Sequence, residues 1–429
     1  MWVDLFFMLY RFVKILMTLA LRIFYKNAHV SGLEKIPARG ACILLANHPS
    51  SLMDAALLGL LIKRPVYFFA RGDVFINPLV IKILSWLHMH PVHNHEGGRR
   101  TLHHNSASFM AAGNLLQQGA VLLFFPEGIS HTEPQLQQFK KGIFRIAMDA
   151  VQESDYSLNI PLLPLGITYT HPTHCFAKVY VQAGALINTK NYVPLFQQNP
   201  ATCFLKMAKD CYEATEPLVL HIKEAGKLSE SIHCLSIQRT DTDFRQWPWL
   251  QQYQQFFLKE KEIANKINNA SADFWTRLQT TTTQYFSTLA AYKLSDKAVI
   301  AKETVPLFIL IILAPVYTVA WLLTGIPVAI ARSIANKKVY RLDFYSWIFV
   351  ATAALLSFIW WLVLLLIALS CFGIAGWLLL PAYTILGCFA IYYFNALSIY
   401  RLTKQKEALP QNVRQQLTQQ RQELQLLLA

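Results

Sequence analysis

Hydrophobic residues follow two patterns along the chain, with short apolar runs before residue 190 and much longer ones after residue 300. The short runs, each ended by turn residues, are Ala41–Ala46, Pro65–Ala70, Ala120–Phe125, Ile160–Tyr169 and Ala177–Ala183. Helical stretches lie between them, for example Asp54–Ile62 and Leu102–Gln117. Continuous apolar strands that alternate with helices predict an α/β fold with a mostly parallel sheet flanked by helices.

Three later runs, residues 305–331, 346–369 and 372–397, contain no charged residue. Each is longer than the roughly 20 residues that cross a bilayer, which predicts a C-terminal α-helical membrane domain. The second and third runs are predicted to form a hairpin that turns at Ser370–Gly373. The first is interrupted by Pro315, Gly325 and Pro327, so we interpret it as a re-entrant helix pair, with a kinked full span as the alternative.

Basic residues give this domain an orientation. They lie between the first two runs and after the third, at Arg332, Lys337, Lys338, Arg341, Arg401, Lys404 and Lys406. The positive-inside rule places both loops in the cytoplasm. We therefore expect an integral membrane protein whose residues 29–300 face the cytoplasm.

The first 28 residues mix apolar and aromatic residues with cations. Arg11, Lys14, Arg22 and Lys26 recur through this run, and no small-residue cleavage site follows it. This pattern predicts an interfacial membrane-anchor helix, not a cleaved signal peptide. The alternative is the buried first helix of a soluble domain.

These patterns divide the chain into five predicted segments. They are an anchor helix (1–28), a sheet-containing domain (29–190), a helical extension of unknown role (191–300), a membrane domain (301–400) and an amphipathic tail (401–429).

Composition narrows the class of protein further. Of the 429 residues, 54% are apolar and only 15% charged, against roughly 25% charged in a soluble domain, which excludes disorder and a coiled coil. Lys and Arg outnumber Asp and Glu by 39 to 25. With such long apolar runs, this basic excess favours an anionic lipid surface and no nucleic-acid partner.

The first candidate site follows a predicted strand, in the sequence Asn47-His48-Pro49-Ser50-Ser51-Leu52-Met53-Asp54. Asp54 lies one to two helical turns beyond His48, close enough to fix the tautomer of its ring. An imidazole held in this way can act as a general base toward a hydroxyl. The alternative, which is compatible with the first, is that Ser51 and Asp54 form a helix capping box.

The second candidate site, Phe125-Pro126-Glu127-Gly128-Ile129-Ser130-His131, follows another predicted strand. Its polar groups should emerge at the same sheet edge, where open α/β sheets bind ligands. Downstream, Lys140 and Lys141 form a basic pair suited to a phosphate.

In this order and separation, the motifs NHPSSLMD, ARGDVF, FPEGISH and LLPLGITY resemble the phospholipid/glycerol acyltransferase (PlsC-like) family over residues 30–185. The resemblance implies that His48, with Asp54, deprotonates a glycerol hydroxyl that then attacks an acyl thioester on coenzyme A or acyl carrier protein. It implies acceptor binding by Glu127 and Gly128. The expected partners are membrane lipids, the acyl carrier and a glycerol-phosphate acceptor.

Further residues are assigned by the same resemblance. Arg71 stands where the family often has a basic residue, and Pro164 belongs to the last motif, which lines the substrate cleft. Where the family usually has an Arg for the acceptor phosphate, this chain has Asn94. The candidate replacements are Arg99, Arg100 and the pair Lys140–Lys141.

The spacing of the catalytic pair also departs from the common family pattern. Five residues separate His48 from Asp54, whereas four are usual. The longer spacing resembles the glycerol-3-phosphate and dihydroxyacetone-phosphate acyltransferase branch, which favours glycerol 3-phosphate over lysophosphatidate.

Six of the 13 histidines cluster at His88, His90, His93, His95, His103 and His104. No carboxylate or cysteine set completes a zinc geometry beside them, and a positioned base needs no metal. We therefore expect no metal and no cofactor.

The sequence thus predicts an O-acyltransferase that acylates glycerol 3-phosphate or 1-acylglycerol 3-phosphate in phosphatidic acid synthesis. One alternative is the acylation of another lysolipid. The other is a non-catalytic membrane protein with residues 301–400 as a lipid or ion passage, although such passages usually hold an ionisable residue at membrane depth.

Overall fold

The structure is a computed structural model that describes residues 2–72, 77–92, 99–243, 253–302 and 305–429. The chain forms two compact units. Unit 1 contains Met1–His221 and Arg341–Trp347, and unit 2 contains Ile222–Tyr340 and Ile348–Ala429.

Unit 1 is built on an eight-stranded sheet with the order β1-β7-β6-β2-β5-β3-β4, and β8 pairs with β6. The strands are β1 Tyr25–Ser31, β2 Cys42–Ala46, β3 Val66–Arg71, β4 Met89–Val92, β5 Val121–Phe124, β6 Pro161–Tyr169, β7 Ala177–Ala183 and β8 Ile187–Asn188. All neighbours are parallel except β6 with β7 and β6 with β8. The predicted α/β fold with a mostly parallel sheet is confirmed.

Helices accompany this sheet in unit 1. They are α1 Trp2–Phe24, α2 Leu52–Leu61, α3 Pro78–Trp86, α4 Arg99–Gln117, α5 Gly142–Glu153, α6 Val193–Gln198 and α7 Pro200–Thr215. The central strand β2 is fully buried along its length, and α5 buries an apolar face that includes Phe144 and Met148. Burial on both faces explains why the central strands read as unbroken apolar runs.

The two edge strands are not predicted by the apolar pattern. The segment expected to be helical to residue 28 is helical only to Phe24, and Tyr25 begins β1.

The exposed side chains of Ile15, Leu19 and Ile23 form one apolar stripe on α1, because residues four apart share a helix face. Contact of this stripe with a membrane stays a prediction.

Unit 2 is helical in its described residues. Its helices are α8 Leu228–Asp243, α9 Tyr253–Asn268, α10 Ala272–Ala291, α11 Asp296–Ile300, α12 Leu307–Thr324, α13 Ile326–Lys338, α14 Leu342–Phe372 (of which Ile348–Phe372 lies in this unit), α15 Leu379–Glu407 and α16 Gln411–Leu428. The predicted amphipathic tail forms α16, which packs against α10 and α8. Its buried stripe is Val413, Leu417, Arg421 and Leu424.

The three uncharged runs are helical, with different boundaries from those expected. Pro315 lies inside α12 without ending it, and the first run breaks at Gly325 between α12 and α13. The turn predicted at Ser370–Gly373 lies later, because α14 continues to Phe372 and a 3₁₀ helix covers Gly373–Leu378.

Two helical stretches, Leu307–Thr324 and Leu342–Glu407, are long and apolar enough to cross a membrane, and little of their apolar windows is buried inside the protein. Length and composition alone support this association with a membrane. The re-entrant path and the cytoplasmic orientation stay predictions.

A tryptophan compensates the helix break inside this apolar region. Pro327 has no backbone N–H, so the carbonyl of Leu323, four residues earlier, has no intrahelical donor. Trp360 Nε1 donates to that carbonyl at 2.9 Å. An unpaired carbonyl costs several kcal/mol in hydrocarbon, so this contact stabilises the break at Gly325.

Candidate acyl-transfer site

The site begins where β2 ends. Asn47 is buried, and its side-chain amide pairs with the backbone of Ile167 as the backbone of a neighbouring strand would. Its Oδ1 accepts from the N–H of Ile167 at 2.7 Å, and its Nδ2 donates to the Ile167 carbonyl at 2.9 Å. These two bonds fix the end of β2 against β6. His48, the next residue, is therefore held at the carboxyl edge of the parallel sheet, as the sequence predicts.

His48 and Asp54 meet directly. His48 Nδ1 lies 2.9 Å from Asp54 Oδ2, and since a carboxylate only accepts, Nδ1 carries the proton in the neutral ring. The lone pair is then on Nε2, which makes no hydrogen bond to any residue in the described ranges. The His48 side chain is 17% exposed and that of Asp54 is fully buried.

Asp54 is also held by two groups other than His48. The N–H of Ser50 donates to Oδ2 at 2.8 Å, and the hydroxyl of Tyr169 donates to Oδ1 at 2.7 Å. Three hydrogen-bond partners around one buried carboxylate fix its orientation. The fixed carboxylate of Asp54 can therefore orient the His48 ring.

The predicted capping box at Ser51 and Asp54 is wrong. Ser51 is the N-cap of α2, but its side chain makes no capping bond and its φ is 46°. Its backbone conformation differs from that of an ordinary N-cap, and the Asp54 carboxylate accepts from Ser50 instead. The start of α2 thus orients the Asp54 carboxylate, which contacts His48.

Tyr169, the last residue of β6, is a site residue that sequence reasoning missed. Its ring stacks on Tyr25 with centroids 5.4 Å apart. Burial, together with the Asp54 charge, raises the pKa of Tyr169 well above its usual value, so it remains a proton donor to Asp54. The only signal in the sequence is a tyrosine at the end of a predicted strand.

Glu127 lies on the loop that follows β5 and is buried. Its Oε2 accepts from the backbone N–H of His48, and its Oε1 from that of Gln137, both at 3.2 Å. Burial raises the pKa of Glu127 to about 7, and the two backbone bonds partly oppose this shift. The carboxylate therefore joins two loops at the site, and its contact with an acceptor stays a prediction.

The same loop contacts His48 at two further points. The N–H of His131 donates to the His48 carbonyl at 2.9 Å, and the Phe125 ring stacks on the imidazole at 3.8 Å between centroids. Together with Glu127, these contacts bring the two predicted turns into one site.

Gly128 has a φ of 79°, and a Cβ there would lie 2.6 Å from Lys140 Nζ. The Lys140 side chain thus lies directly over the Gly128 backbone, close to the predicted acceptor site. Lys141 is exposed at the start of α5. Pro164 lies within β6, paired in register with Leu45 of β2.

The remaining predicted cations are located only by their backbone. Arg71 ends β3, in register with Val92 of β4, and β3 pairs in parallel with β5. Arg71 is thus at the same sheet edge as His48. Arg99 and Arg100 begin α4, whereas Asn94 lies outside the described residues.

Metal binding by the histidine cluster stays unassigned, because His93 and His95 also lie outside the described residues. His88 and His90 both approach the ring of Tyr67, with centroids 4.7 and 6.1 Å apart. Within the described ranges, no group of three or more potential metal ligands is present.

Comparison with known proteins agrees with this geometry. A sequence model of the acyltransferase family matches residues 27–168, the span that contains His48, Asp54 and the loop after β5. Residues 27–168 are therefore similar in sequence to the acyltransferase family.

Its curated relatives share this part only. The chain is 26% identical to a chloroplast 1-acyl-sn-glycerol-3-phosphate acyltransferase of Brassica napus, over 34% of this chain and 38% of that protein. It is 32% identical to a 1-acyl-sn-glycerol-3-phosphate acyltransferase of Chlamydomonas reinhardtii, over 30% and 36%. The chain spans about a third of the length of the curated relatives it matches first.

Among solved structures, the 1-acyl-sn-glycerophosphate acyltransferase PlsC of Thermotoga maritima is 20% identical with a TM-score of 0.35, over 48% of this chain and 77% of that one. The fold of unit 1 is described by its own strand order.

Proposed function

We propose that this protein transfers a fatty acyl group from an acyl thioester to the free hydroxyl of 1-acylglycerol 3-phosphate, forming phosphatidic acid. The observation that carries the proposal is the His48–Asp54 pair, with Nδ1 bound to a buried carboxylate and Nε2 open. The acceptor is proposed from the relatives, which are named for 1-acyl-sn-glycerol 3-phosphate.

The reaction follows from the open nitrogen. Nε2 of His48 takes the proton of the acceptor hydroxyl. At the same time, the hydroxyl oxygen attacks the thioester carbonyl carbon and a tetrahedral intermediate forms. When this collapses, the new C–O bond remains and the C–S bond breaks. The departing thiolate takes the proton from Nε2, and Asp54 stabilises the imidazolium in between.

The proposed acceptor differs from the sequence-based preference for glycerol 3-phosphate, which rested on the five-residue spacing. The intact His48–Asp54 geometry argues against the non-catalytic alternative. Coenzyme A and acyl carrier protein both remain candidate donors, and Arg71, Arg99, Arg100, Lys140 and Lys141 remain the proposed phosphate-binding residues. We expect the transfer to need no metal or cofactor.

Acyl transfer by purified, detergent-solubilised full-length protein tests this function. Palmitoyl-CoA and palmitoyl acyl carrier protein are each offered with 1-acylglycerol 3-phosphate and with glycerol 3-phosphate. We expect phosphatidic acid with the first acceptor and none from His48→Ala. Product from glycerol 3-phosphate alone would reassign the acceptor, and equal turnover by His48→Ala would refute the mechanism.

We also propose that unit 1 works at the cytoplasmic face of a membrane. Cys371, exposed at the end of α14, would then lie on the far side, whereas Cys175 would lie in the cytoplasm. A membrane-impermeant maleimide applied to intact cells should label Cys371 and leave Cys175 unmodified. Labelling of Cys175 without labelling of Cys371 would show the opposite topology and contradict this proposal.

A further inference from the structure

The start of α14, a mainly apolar helix, carries two buried polar side chains, Asp343 and Ser346. This part of the helix lies in the segment Arg341–Trp347, which belongs to unit 1 together with the sheet. Residues three apart share one helix face, so both side chains point to the same side. Buried polar groups need hydrogen-bond partners, and both residues find theirs on loops at the catalytic edge of the sheet.

Asp343 binds the loop after β5. The hydroxyl of Ser130 donates to Asp343 Oδ2. Arg341 donates to the same carboxylate through Nε at 3.1 Å and Nη2 at 2.8 Å, and its Nη2 also lies 3.4 Å from Ser130 Oγ. The three side chains form one connected group in which the buried carboxylate is neutralised and oriented.

Ser346 binds the loop after β6. Its hydroxyl donates to the carbonyl of Pro172, three residues after Tyr169 at the end of β6. Tyr169 holds the Asp54 carboxylate. The single turn Leu342–Ser346 therefore contacts the loops on both sides of the catalytic pair.

The contact at Ser130 acts close to His48. Ser130 directly precedes His131, whose N–H donates to the His48 carbonyl. A bond that restrains Ser130 therefore restrains the peptide that holds His48. Misplacement of a catalytic group by about 1 Å can reduce a rate about 10²-fold, so this restraint bears directly on catalysis.

We propose that Asp343 is a positioning residue for the acyl-transfer site, which holds the loop after β5 against His48 while Ser346 holds the loop after β6. This inference rests on the proposed function. An acidic residue in the first turn also stabilises any helix through its dipole. That ordinary role accounts for the position of Asp343, but not for its bond to Ser130, 213 residues away in the chain. Nor does it account for the bond of Ser346 to Pro172, 174 residues away.

Hydrogen exchange of full-length protein in detergent tests the positioning without any substrate. In Asp343→Ala, we expect the amides of residues 125–131 and of 47–54 to exchange about tenfold faster, since one charge-assisted bond is lost. The matched control is Asp149→Ala, which removes an exposed carboxylate paired with Arg145 at 3.4 Å. Unchanged exchange in Asp343→Ala, or an equal rise throughout the sheet, would overturn the proposal.

Kinetics separate positioning from general stability. Asp343→Ala and Ser130→Ala should each lower kcat about tenfold with the KM of both substrates nearly unchanged, and the double variant should fall no further. Ser130→Thr, which keeps the hydroxyl, should retain activity. Additive losses or an unaffected kcat would refute the role, whereas faster local exchange in a protein inactive on every acceptor would refute only the proposed function.

Discussion

Two buried aspartates, one in each unit, have nearly the same surroundings. Asp54 in unit 1 accepts a hydrogen bond from a tyrosine hydroxyl at 2.7 Å. Asp296 in unit 2 accepts one from Tyr285 at 2.5 Å. The second side-chain partner of each carboxylate donates through a nitrogen atom. The two sites differ in which residue supplies that nitrogen.

The partner of Asp296 is Arg421, which is buried and donates through Nε at 2.8 Å and Nη2 at 3.1 Å. A guanidinium does not release its proton in proteins, so this pair cannot act as a general base, and it joins α16 to α11. The partner of Asp54 is His48, whose second nitrogen is open. A buried carboxylate can thus support base catalysis only when its partner side chain can exchange a proton with a substrate.

Removal of the proton carrier should have the largest effect. His48→Ala should lower kcat with 1-acylglycerol 3-phosphate about 10³-fold, because general base catalysis is lost. The matched control is His233→Ala, since His233 stacks on Phe286 at 3.9 Å much as His48 stacks on Phe125. A similar loss in the control would show that ring packing, and not base catalysis, explains the effect.

The structural pair should respond in stability instead. Asp296→Ala removes the carboxylate partner of the buried Arg421 guanidinium, which should destabilise unit 2 by about 3–5 kcal/mol. Labelling of the buried thiol of Cys234 during a urea titration reports this unfolding, with Glu262→Ala, an exposed carboxylate, as control. Labelling of Cys234 at an unchanged urea concentration would contradict the assigned role.

Glu127 predicts a pH dependence of stability. Burial raises the pKa of Glu127 from 4.5 to about 7, so between these values the folded state holds a proton that the unfolded state has released. Its contribution to stability therefore falls as the pH rises from about 4.5 to 7, by about 3 kcal/mol.

Thermal unfolding of wild type and Glu127→Gln at pH 5 and pH 8 measures this contribution. Glutamine cannot ionise, so the wild type should lose more stability than the variant between the two pH values. Parallel changes in the two proteins would mean that Glu127 keeps an ordinary pKa.

The smallest effect is expected for the tyrosine of the catalytic pair. Tyr169→Phe removes one donor from Asp54, so the carboxylate orients the His48 ring less firmly. We expect kcat to fall a few-fold while KM stays nearly unchanged. Tyr285→Phe removes the equivalent bond to Asp296 and should leave kcat unchanged, whereas an equal loss in both variants would contradict this role of Tyr169.

The fold was predictable where burial is complete and not where it is partial. Central strands such as Cys42–Ala46 are buried on both faces and so appear as unbroken apolar runs. Edge strands Tyr25–Ser31 and Met89–Val92 pair on one side only and need no such run. The start of the first was therefore included in a predicted helix that ended at residue 28, and the second was not among the strands predicted from apolar runs.

The site was predictable where its parts are close in sequence. His48 and Asp54 are six residues apart, and their spacing and surrounding motifs identify them. Tyr169 lies 115 residues after Asp54, and Asp343 lies 213 residues after Ser130. The local sequence does not indicate that either residue contacts these partners. Only the folded chain brings these residues together.

The separation of Ser130 from Asp343 also sets an order of assembly during synthesis. At roughly 5–20 residues per second, a ribosome needs about 10–40 s to make the chain between them. For most of that interval all strands of the sheet, which end at Asn188, have been made, but the loop beside His48 lacks its partner. Asp343 lies just before the second apolar run, residues 346–369. A nascent chain therefore forms the contact between Ser130 and Asp343 only when synthesis of that run begins.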